Sequence, residues 1–394
     1  MLSALASGRS LLEGLSPGED VAATARIVTQ LGARLDRDQS GLTVVGPDEG
    51  LRSSESALDC ENSGTSMRLL SGLVAGIDGE HLLIGDVSLS RRPMDRVAIP
   101  LRRMGATVSG EGPAVHAPLR VTGRAQLRAI DYEVPVPSAQ VKSAILLAGL
   151  VGDGPSTIVE AVRTRSTTED MLRTAGVLVH SDDVGAGRRV RLVPGRPSSR
   201  RWRVPGDPSQ AAFFAVLGAL HPDARIEISP IDHAPERVGF LEVLRRMGAD
   251  VQVRADGSLL AVSSGLRATI VDATDVPSVD EVPILAVAAA AAEGVSTFCG
   301  MAELRVKESD RFEGTITLVR ALGCEAWSEG NDFFVVGLGS AGKFRSFSLN
   351  VQLDHRMVMS GAVAAVAGNG GQIEGADSIT SSYPAFFEDL ELLL

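Results

Sequence analysis

One order of motifs recurs along the chain at a spacing of roughly 70 residues, too long for an ordinary solenoid repeat and regular enough to define a unit. Each unit opens on a short polar motif and runs into an Ala/Leu/Val-rich helix that stops at a glycine turn. The stretches are SMRLLSGLVAGIDG, VKSAILLAGLVGDG, SQAAFFAVLGALHPD, VPILAVAAAAAEG and MVMSGAVAAVAGNGG. A short strand of β-branched or apolar residues follows, as in STIVEA, ARIEIS and VSTFCG. A second, amphipathic helix then closes near a glycine, in LRRMGATV, LRTAGVLV, LRRMGADV and VRALGCEA. Helix, strand and helix in this alternation predict an α/β fold.

The first unit fits only from its middle. MLSALASG matches the end of an apolar helix, and SLLEGL through QLGARL supplies the strand and the second helix, but no polar opening motif precedes them. Internal comparison leads one to expect something like a strand and half a helix before Met1. An atypical terminal repeat, as repeat proteins often have, is the alternative.

At 394 residues and 44% hydrophobic content, the chain exceeds what a single core usually supports, so two domains are expected. The formal charge of -11 argues against nucleic acid, which needs a basic face, and scarce aromatic residues argue against base-stacking platforms. No apolar run is long enough to span a bilayer, and MLSALASGRS lacks the layout of a secretory signal, so a cytoplasmic location is expected. Cys60, Cys299 and Cys324 are odd in number and far apart, which predicts reduced, mostly buried thiols and neither a disulfide framework nor a metal site.

The polar motifs carry the chemistry. ENSGTSMR (61–68), VPSAQVKS (136–143), GDPSQAAF (206–213), SVDEVPI (278–284) and LDHRMVM (353–359) each precede an apolar helix. Free N–H groups and the positive end of the helix dipole favour anions there. Ser, Asn, Asp and Gly equally suit helix caps, so each motif admits both readings. If the units pack around pseudo-threefold axes, these ends can converge. Two charged segments, SLSRRPMDRV (88–97) and ELRVKESDRF (303–312), are either solvated faces or anion sites. Pro93 pushes Arg92 out of the helical region. Lys307, Glu308, Asp310 and Arg311 are expected within one turn, with Lys307 and Arg311 on one helical face.

Taken together, ENSGTSMRLL, GDVSLSRRPMDRV, VPSAQVKSAILLAG, VPGDPSQAAFF, DEVPILAVAAAAAEG, ELRVKESDR, DHRMVMS and SSYPAFFEDL resemble the enolpyruvyl transferases, specifically the shikimate branch, in order along the whole chain. The sister branch acting on a UDP-amino sugar fits less well, because it has a cysteine-bearing loop in its N-terminal half and Cys60 lies in a different context. The resemblance implies an α/β fold of two similar domains, each of three repeats about a pseudo-threefold axis. It divides the chain at 1–203 and 204–394, with the active site in the cleft between them. It implies a monomer without metal or organic cofactor that transfers the enolpyruvyl group of phosphoenolpyruvate to the 5-hydroxyl of shikimate 3-phosphate, releasing phosphate.

Position by position, the resemblance implies that Asp280 contacts the shikimate hydroxyl as proton acceptor and that Glu308 is the second acid/base carboxylate. Lys307 then bridges the two substrates. Arg92, Arg311 and Arg356 clamp phosphoenolpyruvate, Asn62, Gly64 and Thr65 line its pocket, and His355 supports its phosphate. Ser138, Ala139 and Gln140, with Thr164 and Arg165, match the shikimate 3-phosphate site. An N-cap role is also open to Asp280.

Some positions depart from the family. Glu61 stands where glycine is usual and should weaken anion binding unless its side chain turns away. TRSTTED (164–170) differs from the usual SRDHTE-like stretch, and Gln210 replaces a common Ser. The family's opening motif, of the form GDKSISHR, has no equivalent, so a transferase whose recorded sequence starts late is expected, binding shikimate 3-phosphate weakly and turning over slowly. A non-catalytic homologue that binds substrate without efficient turnover is the alternative.

Overall fold

The computed structural model describes residues 1–394 apart from 278, 340, 341, 352 and 394. Internal packing divides the chain into two compact units, Met1–Val204 and Pro205–Leu394.

In the first unit, three four-stranded sheets share one topology. Leu58–Asp59 runs parallel to Gly79–Ile84, which pairs antiparallel with His116–Gly123 and through it with Thr107–Glu111. Asp131–Val134, Ser156–Glu160, Gly187–Leu192 and Val179–Val184 repeat that order. In the remaining sheet the last strand of the unit closes the circuit. Arg201–Arg203 runs parallel to Leu11–Glu13 within the strand Gly8–Glu13, beside Gly41–Gly46 and Arg34–Asp38. The first repeat contains the expected short helix, Leu2–Leu5, then a strand and the helix Glu19–Gln30.

Two apolar helices, Gly64–Ala75 and Ala139–Gly149, fill the middle of this unit, and nearly every side chain on them after the first turn is buried. A helix apolar on all sides belongs in a core. They approach so closely that a methyl group on Gly72 would lie 2.1 Å from the carbonyl oxygen of Ala144. This contact requires glycine.

The second unit repeats the plan with different strand numbers. Ile270–Asp272, Val295–Cys299, Asp332–Val336 and Glu325–Glu329 form the full four-stranded version. Arg225–Ile228, Leu259–Val262 and Asp250–Val253 form three strands, and Phe347–Asn350 pairs parallel with Gly371–Glu374. The helices Pro208–Leu220, Val282–Ala291 and His355–Ala367 pack on one another at its centre. A cluster of Phe213, Phe214, Tyr383 and Phe386 seals one end, the Phe214 and Phe386 rings 5.5 Å apart. Cys60, Cys299 and Cys324 are free thiols, the first and last buried and Cys299 half-buried.

Candidate functional site

Every apolar core helix begins at one of the polar motifs. Ser63 caps Gly64–Ala75 by accepting from the Ser66 N–H at 3.1 Å, and Ser138 caps Ala139–Gly149 through Val141. Asp207 caps Pro208–Leu220, and Asp354 caps His355–Ala367 through the Arg356 N–H at 2.9 Å. Capping and a polar site coexist at these ends. Asp280 does not cap: the N-cap of Val282–Ala291 is Glu281, whose carboxylate takes the Ser209 hydroxyl, and this leaves Asp280 to face cations. Ser278, the first residue of that motif, lies outside the described residues.

In the first unit the side chains of three segments are wired together. Asn62 accepts from Arg92 Nη2 at 2.9 Å and donates to Asp86 at 2.6 Å. Gln140 accepts from Arg68 Nη1 at 2.7 Å and donates to the Thr65 hydroxyl at 2.9 Å. Arg92 lies in the non-helical turn before Pro93, and its Nη1 is 3.0 Å from where a methyl on Gly64 would stand. Asn62, Gly64, Thr65, Arg92 and Gln140 therefore meet at two adjacent helix openings, beside Ser138 and Ala139. Arg68 joins them without having been singled out; the signal was its place in the SMR of an opening motif.

Thr164 and Arg165 reach this region by a different route. Beneath the second core helix, Lys142 is fully buried, donates to Glu160 at 2.7 Å and forms an ion pair with Glu169 at 2.7 Å. Burial raises the Glu169 carboxyl above its ordinary range, with Lys142 pulling the other way. Glu160 in turn accepts the Thr164 hydroxyl, and Ser143 bonds Thr168 at 2.6 Å. These ties hold the 164–168 turn, with Arg165 half-buried in it, against the helix that starts at Ala139.

Glu61 turns its carboxylate aside. Its φ of 50° is in the left-handed region, where glycine is the easy choice, and its carboxylate pairs with Arg26 on the helix Glu19–Gln30.

In the second unit, charges converge on Arg311, which is 1% exposed. Its Nε and Nη2 bond the two oxygens of buried Asp354 at 2.8 and 3.2 Å. Its Nη1 reaches Asp280 at 2.8 Å and its Nη2 reaches Glu308 at 2.5 Å. Lys307 stands 3.6 Å from the same Asp280 oxygen and 3.0 Å from Glu303. Lys307 and Arg311 are not on one helical face. Met301–Val306 is a short 3-10 helix, and the next helix, Arg311–Ala321, starts only after Asp310, which caps it through the Glu313 N–H. They meet at Asp280 because the chain bends between them.

Burial works against charge on Arg311 and Asp354 alike, and their mutual attraction wins. Asp354 is held at about 2, and Arg311 is raised by Asp354, Glu308 and Asp280. The neighbouring His355 is lowered to about 4 by burial and by Arg356 and Arg311, so its imidazole is neutral at physiological pH. Arg356, also buried, donates to the Ser209 carbonyl at 3.2 Å. Asp354 and Ser209 were not singled out from sequence, because their value lies in contacts 43 and 147 residues away.

The sequence pattern of the family described as EPSP synthase (3-phosphoshikimate 1-carboxyvinyltransferase) matches residues 1–390. A 3-phosphoshikimate 1-carboxyvinyltransferase of Synechococcus sp. (strain WH7803) is 42% identical over all of this chain and 92% of its own length. One from Caldicellulosiruptor bescii is 36% identical over 99% of this chain and 92% of its own. Among solved structures, EPSP synthase from Acinetobacter baumannii superposes with a TM-score of 0.86 at 36% identity, covering 100% of this chain and 92% of that one. The enolpyruvyl transferase NikO from Streptomyces tendae shares the fold at 20% identity, with a TM-score of 0.78 over 100% of this chain and 90% of that one.

Proposed function

The chain belongs to the EPSP synthase family and transfers the enolpyruvyl group of phosphoenolpyruvate to shikimate 3-phosphate, and from that premise we propose which of its residues do the work. Asp280 and Glu308 are the acid/base pair. Lys307, Arg92, Arg311 and Arg356 hold the anionic groups of phosphoenolpyruvate, with Asn62, Gly64 and Thr65 lining its pocket. Ser138, Ala139, Gln140, Thr164 and Arg165 hold shikimate 3-phosphate.

The observation that carries this reading is the double grip on Arg311. Asp354 takes its Nε and shares its Nη2 with Glu308, while its Nη1 lies at Asp280. A guanidinium so anchored is preorganised for a carboxylate or phosphate, which would share those atoms when phosphoenolpyruvate arrives. The acid/base carboxylates are then freed where proton transfer is needed.

In the reaction the methylene carbon of phosphoenolpyruvate takes a proton from Glu308 while the 5-hydroxyl, losing its proton to Asp280, bonds to the enol carbon. Elimination then restores the double bond: the Glu308 carboxylate takes back a proton from the methyl group, and phosphate leaves carrying the proton held by Asp280. Lys307 stabilises the charge on the adduct. Neutral His355 supports the leaving phosphate as a hydrogen-bond donor and adds no charge.

The acid/base pair belongs to the second unit and the shikimate 3-phosphate residues to the first, and the phosphoenolpyruvate residues come from both; X-ray scattering with and without both substrates tests whether the units close on the substrates. The enzyme is taken to act as a cytoplasmic monomer without nucleic-acid or membrane partners, which light scattering and cell fractionation check.

Phosphate release from the two substrates tests the assignment. Glu308→Gln and Asp280→Asn should each lower kcat by about 10²–10⁴-fold, the usual worth of a positioned acid or base, with a native unfolding midpoint. Variants that kept full kcat would remove these residues from the chemistry. A chain that bound shikimate 3-phosphate and released no phosphate would instead fit a non-catalytic homologue.

A further inference from the structure

Glu61 raises a problem that the structure answers with a residue outside the site. Its main chain is fixed: the N–H donates to Asp59 at 2.8 Å and the carbonyl accepts from the Asp86 N–H at 2.8 Å. With φ at 50° the backbone has no easy alternative, so only the side chain can choose where to go. The next residue, Asn62, bonds Arg92. Glu61 therefore adjoins a ligand of Arg92 at the same helix opening, and a carboxylate not held elsewhere would add negative charge beside the place where an anion is to bind.

The carboxylate goes to Arg26 instead. Arg26 is placed for this by its helix, Glu19–Gln30, which docks on the opening of Gly64–Ala75 through a 2.7 Å hydrogen bond between the Thr24 and Ser66 hydroxyls. Both charged side chains are partly exposed, 54% for Arg26 and 39% for Glu61. The pair is therefore too wet to matter much for stability. Its consequence is local: it decides where the negative charge points.

We propose that Arg26 is a positioning residue that turns the Glu61 carboxylate away from the Arg92 side of this helix opening, where its charge would weaken phosphoenolpyruvate binding. This rests on the reading of Arg92 as a phosphoenolpyruvate ligand. Arg26 touches no substrate and acts only through Glu61, so its effect must vanish when the Glu61 charge is removed.

The test is a double-mutant cycle in the full-length enzyme, with KM for each substrate and kcat measured for wild type, Arg26→Ala, Glu61→Gln, the double variant and Arg92→Ala. Arg26→Ala should raise KM for phosphoenolpyruvate about three- to fivefold, in line with an exposed ion pair. The kcat and the KM for shikimate 3-phosphate should stay within about twofold, and added salt should shrink the effect. The double variant should return to the wild-type KM. An unchanged KM in Arg26→Ala, or a raised KM that persists in the double variant, overturns the proposal. If Arg92→Ala raises the KM while Arg26→Ala does not, only the role of Arg26 falls. If Arg92→Ala leaves it unchanged, the reading of Arg92 falls, and the proposal with it.

Discussion

Arg311 and Asp354 form a buried two-point pair, Nε to Oδ2 at 2.8 Å and Nη2 to Oδ1 at 3.2 Å, 43 residues apart in sequence. Removing one partner of such a pair strands a charge, at a typical cost of about 3–5 kcal/mol. Asp354→Asn keeps one acceptor and should sit at the low end, near ~3 kcal/mol in urea unfolding. Because Asp354 titrates at about 2 in the folded chain against 3.8 when unperturbed, its ionised form adds stability at neutral pH. That stability is lost as pH falls from about 4 toward 2, and it amounts to about 2 kcal/mol. Unfolding at pH 5 and pH 3 should show a shallower loss in Asp354→Asn than in wild type.

His355 gives a second window. Its folded value of about 4 lies below the unperturbed 6.5, so the unfolded chain binds the extra proton first. The stability it contributes is full above about pH 6.5 and is lost as pH falls toward 4. Replacing His355 with Asn should flatten the slope of the unfolding free energy across that range. In the wild type, the imidazole resonances should report a neutral ring down to about pH 5.

Lys142 lies at 0% exposure between Glu160 and Glu169. Lys142→Met leaves two carboxylates buried without their cation, and should cost about 3–5 kcal/mol by urea unfolding. Adding Glu160→Gln and Glu169→Gln should recover much of it, because the stranded charge, more than any change in packing, is what the single change creates. A triple variant no more stable than the single one would mean that packing dominates.

Gly72 faces the Ala144 backbone where the two core helices of the first unit touch. The intruding methyl would meet a backbone oxygen that cannot rotate away, so Gly72→Ala should lower stability by about 1–3 kcal/mol despite alanine's better helix propensity. The same change should raise KM for shikimate 3-phosphate, since parting the helices separates Thr65 from Gln140. Differential scanning calorimetry and steady-state kinetics report the two effects separately.

Much of the architecture could be read from order and spacing. The apolar helices are uniform enough to be recognised by composition alone, and each does begin at a polar motif. The hairpins that follow the second helices, such as Thr107–Glu111 with His116–Gly123, escaped notice because half-exposed strands carry Arg, Ser and Glu at alternate positions. Within the site, residue types were legible and partnerships were not. Arg68 needs Gln140, 72 residues on, and Lys142 needs Glu160 behind the helix rather than at its mouth. The shared helical face assigned to Lys307 and Arg311 failed for a local reason: Asp310 is the stronger helix cap and starts the helix after the lysine. Glu61 could be flagged as unusual, but nothing in the sequence pointed to Arg26.

The strand Arg201–Arg203 lies parallel to Leu11–Glu13, with Glu13 pairing both arginines. A nascent chain leaving the ribosome therefore carries an unclosed first sheet until residue 203 has emerged. Joining ends 190 residues apart costs about 4–5 kcal/mol of loop entropy. The oldest-synthesised strand of this unit must wait for the youngest, which exposes Gly8–Glu13 to mispairing throughout translation of the unit.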